Sequence, residues 1–598
     1  MQPHHDGSAL YVENETPQLG ESVELRVRIP ADFGERAVWL RHVEDGEPQL
    51  VRAKRAGNGP GERWYAAELP IHHLVSNYRW QLDVGSTSFW LNGRGVIDHD
   101  VTDEADFRIT TFAPAPSWAR GAVIYQIFPD RFARSAHADQ HPTPAWAKPA
   151  RWNDESIGVP GKAALQFYGG DLGGIEEHLS HISALGVDAI YLTPVFPAPS
   201  NHRYNASSFD HVDPLLGGDQ ALASLSKAAH ARGIKIFSDL TTNHTGSEHE
   251  WFRTERDFYY WQPYRGLDYV GWFGHKSLPK LNWGAERLWE RMVDGPDSIV
   301  AKYLSAPFEL DGWRIDVANM TGRFQTDDHA NEVARHIRAT MEEADPESLL
   351  ISEHWHDAQH DLRGDGWHAN MNYSGFTRPM WSWLSKQHTP HGKEAVWIPA
   401  RGGRQLVTSL KEFGATVPWK VTSAQWNIIG SHDTPRIRTL VGSAALVEVA
   451  AALAFTYPGS PFFFAGDEGG LLGHNGEAAR QTMPWDDIPA GGRRWDPDTA
   501  AVFHELGRLR HACAPLRTGG LRWVFAAEDA VGFLRETARE KVLVVLARAP
   551  WAGTTLPFKG DPHPLYQGRL AQPATCTPTH FGLQISGAGP AVGVWRIG

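Results

Sequence analysis

The sequence predicts an α/β protein built on a (β/α)8 TIM barrel. An N-terminal β-sandwich domain, a small inserted domain after the third barrel strand and a C-terminal β-domain complete it. Three observations carry this. Short apolar runs alternate with helical patterns over nearly 400 residues. Strict two-residue alternation fills the first 110 or so. Three apolar segments end on a carboxylate: Gly-Trp-Arg-Ile-Asp at 312–316, Leu-Leu-Ile-Ser-Glu at 349–353 and Ile-Ile-Gly-Ser-His-Asp at 428–433.

In the first region, residues 1–116, Val23, Leu25, Val27 and Ile29 share one face of a strand. Tyr78, Trp80, Leu82 and Val84 share another. Gly, Pro and Asn punctuate between, which suits a sandwich. Phe-Ala-Pro-Ala-Pro-Ser at 112–117 reads as a linker. The barrel follows at 117–507, with apolar runs at Val123–Phe128, Ala189–Leu192, Ile234–Phe237, Trp313–Ile315, Leu349–Ile351, Trp426–Ile429 and Pro461–Phe464. The sixth strand falls near His368–Tyr373, which is less apolar. Between strands, Ile175, Leu179, Ile182 and Leu185 share one helical face, as do Val333, Ile337 and Met341. Gly186 and Gly233 stand where helices end. About 241–300 is too long for an ordinary strand-to-helix loop and forms the inserted excursion. From 508 to 598 strand patterns return, as in Lys541–Ala547 and Ala591–Ile597.

Composition excludes several classes. With 41% hydrophobic and 21% charged residues the chain is neither disordered nor membrane-like. A formal net charge of −13 argues against nucleic acid or an anionic membrane as partner. Two cysteines, Cys513 and Cys576, make no disulfide framework, and no signal or spanning segment is visible, so a cytoplasmic address is expected. The 25 Trp, 26 Phe and 15 Tyr suit stacking on sugar rings, although most such residues are core in any protein.

The site chemistry starts from the strand tips, where parallel α/β folds build active sites. Three converging acids are what glycosidic cleavage requires: a proton donor, a nucleophile or cation stabiliser, and a grip on hydroxyls. Ser-Asp-Leu-Thr-Thr-Asn-His at 238–244 brings Asp239, Asn243 and His244 to the same rim. Arg314 lies two residues before Asp316, on the same side of the strand, where its charge would hold that carboxylate ionised. A neutral imidazole at His432, beside Asp433, makes a useful hydroxyl donor.

These segments resemble the α-amylase family of glycoside hydrolases: Asp-x-x-x-Asn-His at 239–244, Gly-x-Arg-x-Asp at 312–316, Glu353 and His-Asp at 432–433, in the family's order. Further matches resemble its cyclomaltodextrinase, neopullulanase and maltogenic amylase subgroup. They are Val-Ile-Tyr-Gln-Ile-Phe-Pro-Asp-Arg-Phe at 123–132, the run at 191–204 ending Asn-His-Arg-Tyr, Leu-Pro-Lys-Leu-Asn at 278–282, Asp316-Val-Ala-Asn319, Glu353-x-Trp355-His356-Asp357-Ala358 and Asp433-Thr-x-Arg436. The resemblance implies Asp316 as nucleophile, Glu353 as acid and then base, and Asp433 as a binder of the distorted sugar. It implies substrate contacts from Arg314, His202, Tyr204, His244, His432, Trp355, Asn319 and Arg436, with Asp239 and Asn243 in support. It implies a retaining hydrolase of α-1,4/α-1,6 bonds in small cyclic or branched maltodextrins, including a cyclic maltosyl-maltose, working without a cofactor or catalytic metal. It also implies a homodimer through the N-terminal domain.

Departures from the pattern are Asn205, Ser208-Phe209, Met320, Ser352 and Pro435. They cluster beside the expected cleavage point and bear on which saccharide is cut. Two alternatives share the sequence features: a transglycosylase or glucan isomerase with the same triad, and a non-catalytic carbohydrate-binding protein. The latter would be expected to have lost an acid, and all three are present.

Overall fold

A computed structural model describes the chain except residues 141, 386–389, 392–395, 490 and 598. The N-terminal region is the expected sandwich. One sheet pairs Ser22–Pro30, Glu62–Pro70 and Lys54–Gly59; the other is built around Ala37–Glu44 and Val75–Val84. Val23, Leu25, Val27 and Ile29 pack against Tyr78, Trp80 and Leu82 between the sheets. Val84, at the end of its strand, is only half-buried. Each fully buried side chain of this kind contributes about 1.5–3 kcal/mol.

The barrel strands are β1 (Ile124–Ile127), β2 (Ala189–Leu192), β3 (Lys235–Thr241), β4 (Gly312–Asp316), β5 (Leu349–His354), β6 (Ala369–Asn372), β7 (Trp426–Ile428) and β8 (Ser460–Phe464). All eight pair in parallel and β8 closes on β1. The sixth strand lies where the sequence places it. Tyr191, Phe237, Ile351, Met371, Trp426 and Phe462 fill the interior, so the barrel is packed rather than hollow. Gly312 opens β4 because a side chain there would meet the Leu349 carbonyl oxygen at 2.1 Å.

Three expectations change in detail. The run Ile175–Leu185 is two short helices, Leu172–Glu177 and Leu179–Ala184, broken at His178, though all four apolar residues are buried as predicted. The excursion after β3 has no sheet of its own; isolated bridges His244–Lys280, Tyr259–Leu281 and Gly271–Pro279 tie it together. Its Trp251, Phe258, Tyr259, Leu281 and Trp283 belong to the same hydrophobic core as the barrel's helices, so the excursion packs on the barrel. The 507/508 boundary cuts helix Pro497–Ala512, because Leu506 and Arg510 remain buried, and the C-terminal strands begin only at Gly520.

The domains are pinned by buried polar contacts. Glu448, fully buried on helix Ala444–Thr456, accepts hydrogen bonds from Tyr566 Oη and the backbone N–H groups of Arg569, Leu570 and Ala571. Arg28 pairs with Glu536 at 2.5 Å and Arg522 with Glu62 at 2.6 Å, linking the two β-domains. No helix among the described residues is long and apolar enough to cross a membrane.

Candidate active site

β3, β4 and β5 run side by side, and their register sets the acids at one level. Asp239 lies opposite Arg314 and Thr241 opposite Asp316, while Ile315 lies opposite Ser352, one residue before Glu353. Alternation along β4 turns Arg314 and Asp316 to the same side. Arg314 is fully buried and is the hub. Its Nη1 donates to Asp239 Oδ1 and Oδ2 at 3.0 and 2.8 Å and to Asp316 Oδ1 at 2.9 Å; its Nη2 lies 3.0 Å from Glu353 Oε2. The sequence reading paired Arg314 with Asp316 alone; in the fold one guanidinium serves three carboxyls.

That stoichiometry decides the electrostatics. Burial pushes the Asp316 carboxyl well above the usual range, the adjacent Glu353 charge adds to this, and Arg314 opposes both. Burial likewise raises Glu353, with Arg314 pulling it down and Asp433 pushing it up. Burial also raises Asp239, against Arg314 and two tyrosine hydroxyls. Three buried acids thus share one cation, and burial opposes the ionisation of each.

Tyr204 and His432 continue the network. Gln126 Oε1 accepts the His432 backbone N–H at 2.9 Å, which orients its amide nitrogen to donate to His432 Nδ1 at 2.7 Å. The His432 proton therefore sits on Nε2, 2.8 Å from Tyr204 Oη and 3.2 Å from Asp433 Oδ2. Tyr204 donates in turn to Asp239 Oδ2 at 2.8 Å, and its ring lies parallel to His432 at 5.5 Å. His202 also stacks with Tyr204, with centroids 5.8 Å apart, and accepts the Tyr204 backbone N–H. Asp433 is the most open acid, with 31% of its side chain exposed; Arg480 Nη2 donates to its Oδ1 at 3.0 Å.

His244 is buried with Nε2 3.8 Å from Asp316 Oδ2, and burial lowers its pKa to about 3, keeping it neutral. Asn243 stands behind it: its side-chain oxygen accepts from the Lys280 ammonium, which also donates to the Met320 carbonyl at 2.7 Å. Burial lowers Lys280 to about 7. Because the chain's own cation occupies the Asn243 oxygen, that oxygen is already committed. Among the described residues no group of three or more His, Cys, Asp or Glu side chains is arranged to hold a metal ion. Trp355, half-buried just beyond Glu353, stacks face to face on Tyr373 at 4.1 Å.

One predicted contact is placed differently. Arg436 is buried and spends its guanidinium on Asp467 and on the carbonyls of Phe464, Ala465 and Ala479, so it holds the β8 loop rather than facing a ligand. Asn319 is half-buried, and its backbone carbonyl accepts from Arg323. Two departures are also internal: Asn205 accepts from Ser200 Oγ, and fully buried Ser352 bonds His354. Sequence reasoning missed Arg480, Lys280, Gln126 and the Val317 N–H, which donates to Glu353 Oε2 at 2.8 Å. Gln126 and Lys280 lie inside motifs that were noticed; nothing local marks Arg480. A cavity of about 500 Å³ between the N-terminal segment, helix Gly403–Gly414 and strand Gly520–Ala526 is lined by none of the acids.

Residues 126–493 match the family described as Alpha-amylase, catalytic domain. A cyclomaltodextrinase from Bacillus sp. is 29% identical, with 88% of this chain and 92% of the relative covered. Neopullulanase 2 of Thermoactinomyces vulgaris is 31% identical, covering 90% and 89%. Among solved structures, a cyclomaltodextrinase superposes with a TM-score of 0.74 at 25% identity over 99% of both chains. The cyclic α-maltosyl-(1→6)-maltose hydrolase from Arthrobacter globiformis, in complex with that saccharide, superposes with a TM-score of 0.66 at 25% identity, covering 81% of this chain and 100% of its own. Together with the acids at the barrel's strand tips, these matches identify the chain as a member of the α-amylase family of glycoside hydrolases.

Proposed function

We propose that the protein is a retaining hydrolase of α-1,4 and α-1,6 glucosidic bonds in small maltodextrins, cyclic or branched. The observation that carries this is the pairing of Asp316 and Glu353 at adjacent strand tips, both held by the buried Arg314. On this reading Glu353 begins protonated and gives its proton to the glycosidic oxygen as Asp316 attacks the anomeric carbon and the C–O bond breaks. Glu353, now ionised, takes a proton from water. That water displaces Asp316 and releases the sugar with its configuration retained. Asp433, His432 and neutral His244 hold the hydroxyls of the sugar being distorted, Tyr204 and His202 stand beside them, and Trp355 lines the acceptor side. The names of the relatives support cyclic and α-1,6-containing saccharides as the class to test first. The same reading makes the protein a cytoplasmic homodimer joined through its N-terminal domain, in keeping with its unpaired Cys513 and Cys576.

The test is product mapping on linear maltooligosaccharides, cyclodextrins, pullulan, panose and a cyclic α-1,6-containing tetrasaccharide, with the first anomer released followed by proton NMR. Initial α-anomer is expected; initial β-anomer refutes the mechanism. Longer or relinked products dominating at high sugar concentration assign a transferase instead. Asp316→Asn is expected to abolish turnover with the circular dichroism spectrum unchanged, and substantial residual activity removes Asp316 from the nucleophile's role.

A further inference from the structure

His354 follows Glu353 at the end of β5, is completely buried, and touches none of the acids through a hydrogen bond. Its Nε2 lies 3.0 Å from Asp361 Oδ2 and its Nδ1 3.0 Å from Ser352 Oγ. Burial lowers its pKa, with Asp361 opposing. Its Nε2 faces the Asp361 carboxylate as a donor, while Nδ1 meets the Ser352 hydroxyl, which also lies 3.5 Å from the Ala369 carbonyl. Asp361 is in turn gripped by Arg323, with Nη1 and Nη2 at 3.0 and 2.8 Å, and the same Nη1 donates to the Asn319 carbonyl at 3.0 Å.

This chain of contacts joins two loops that the chemistry must hold at a fixed separation. One, at 317–323, leaves Asp316 and carries the Val317 N–H that binds Glu353. Val317 holds φ at +47°, a left-handed conformation costly for a β-branched residue and one that persists only where its surroundings impose it. The other loop, at 354–361, leaves Glu353 and carries Trp355. Beside this brace, Val317 N–H on Glu353 and the shared Arg314 also tie the two strand ends together. A charge-assisted pair between Asp361 and a planar, bidentate Arg323 is the stiffest link available on such loops.

We infer that His354 is a positioning residue. Through Asp361 and Arg323 it sets the separation of Glu353 from Asp316 and the stance of Trp355, and so the share of the glycosyl-enzyme intermediate that passes to water rather than to a sugar. In either outcome the bond from C1 to Asp316 breaks, a C1–O bond forms, and the attacking hydroxyl's proton goes to Glu353. His354 exchanges no proton with substrate. The departure at Ser352 acquires a purpose here, since its hydroxyl supplies the partner for Nδ1. The inference rests on the roles proposed above for Asp316 and Glu353.

The experiment compares two substrates. Maltotriose needs its leaving group protonated by Glu353, whereas α-maltosyl fluoride does not. His354→Asn removes the arm to Asp361; His354→Gln places an amide nitrogen where Nε2 was. Misplacement of a catalytic group by about 1 Å costs up to about 100-fold. His354→Asn is therefore expected to lower kcat/KM about 10- to 100-fold on maltotriose and much less on the fluoride, and to raise the ratio of transfer to hydrolysis with maltose as acceptor. His354→Gln should restore most of both. Asp361→Asn should reproduce the His354→Asn signature, and the double variant should lose little more than either single one. Equal losses on both substrates in step with a lower Tm, or no change in the transfer ratio, overturn the inference. Failure of the underlying roles is separately visible, because Asp316→Asn would then retain activity on the fluoride.

Discussion

Replacing Arg314 by methionine isolates the electrostatic core of the site. Methionine roughly keeps the stem's volume and removes the single cation facing Asp239, Asp316 and Glu353. Breaking a buried pair by deleting one partner costs about 3–5 kcal/mol. The pH dependence is the sharper readout. Arg314 is the charge that favours the ionised form of each of these acids, and its removal favours their protonated forms. All three acids are already raised by burial. The folded state thus binds more protons than the unfolded chain above about pH 4, and its stability falls as pH rises towards the folded values. Removing the guanidinium raises those values further, so the deficit of Arg314→Met should grow between pH 5 and pH 7. Thermal melts of both proteins by circular dichroism at pH 5, 6 and 7 measure it as a widening gap in Tm. A gap that stays constant would mean that Arg314 does not carry the charge of these carboxyls, and this account of their ionisation would fall with it.

Arg480 binds both the His432 carbonyl at 2.9 Å and Asp433 Oδ1 at 3.0 Å. Hydrogen bonds to charged groups are worth about 1.5–3 kcal/mol, so Arg480→Met should lower kcat/KM about 10- to 100-fold with a small change in Tm; an unchanged kcat/KM would show that Asp433 needs no such holder. Lys280, lowered to about 7 in the fold, binds fewer protons there than in the unfolded chain between pH 7 and its ordinary value near 10.4. Its contribution to stability therefore increases with pH across that range. Measured against Lys280→Met, the wild-type Tm should improve between pH 7 and pH 9. A flat difference would show that Lys280 is solvated rather than buried.

Much of the scaffold was legible because its signals are local. Two-residue alternation in Val23–Ile29 and apolar runs closing on Asp316 and Glu353 depend only on which face of a strand is buried, and the structure follows them. Errors came where burial is decided by distant parts of the chain. The C-terminal boundary moved because helix Pro497–Ala512 packs on helix Ala444–Thr456 beyond the point where its pattern faded.

The site divides along the same line. Identity and spacing were enough to place Asp316 and Glu353 at the barrel mouth, since period-two strands carry each to a tip, while His244, His432 and Asp433 lie in the loops just beyond β3 and β7. Tertiary structure alone decided what each residue's polar atoms meet. Arg436 carries a charge suited to a ligand, yet it is spent on Asp467 and three carbonyls. Arg480, 47 residues beyond Asp433, becomes that acid's partner. Arg314, expected to serve one acid, faces three. A residue's type and position along the chain determine which face of an element it occupies. Its protonation and its partners depend on groups brought close only when the strands align, and on the low dielectric that their burial creates.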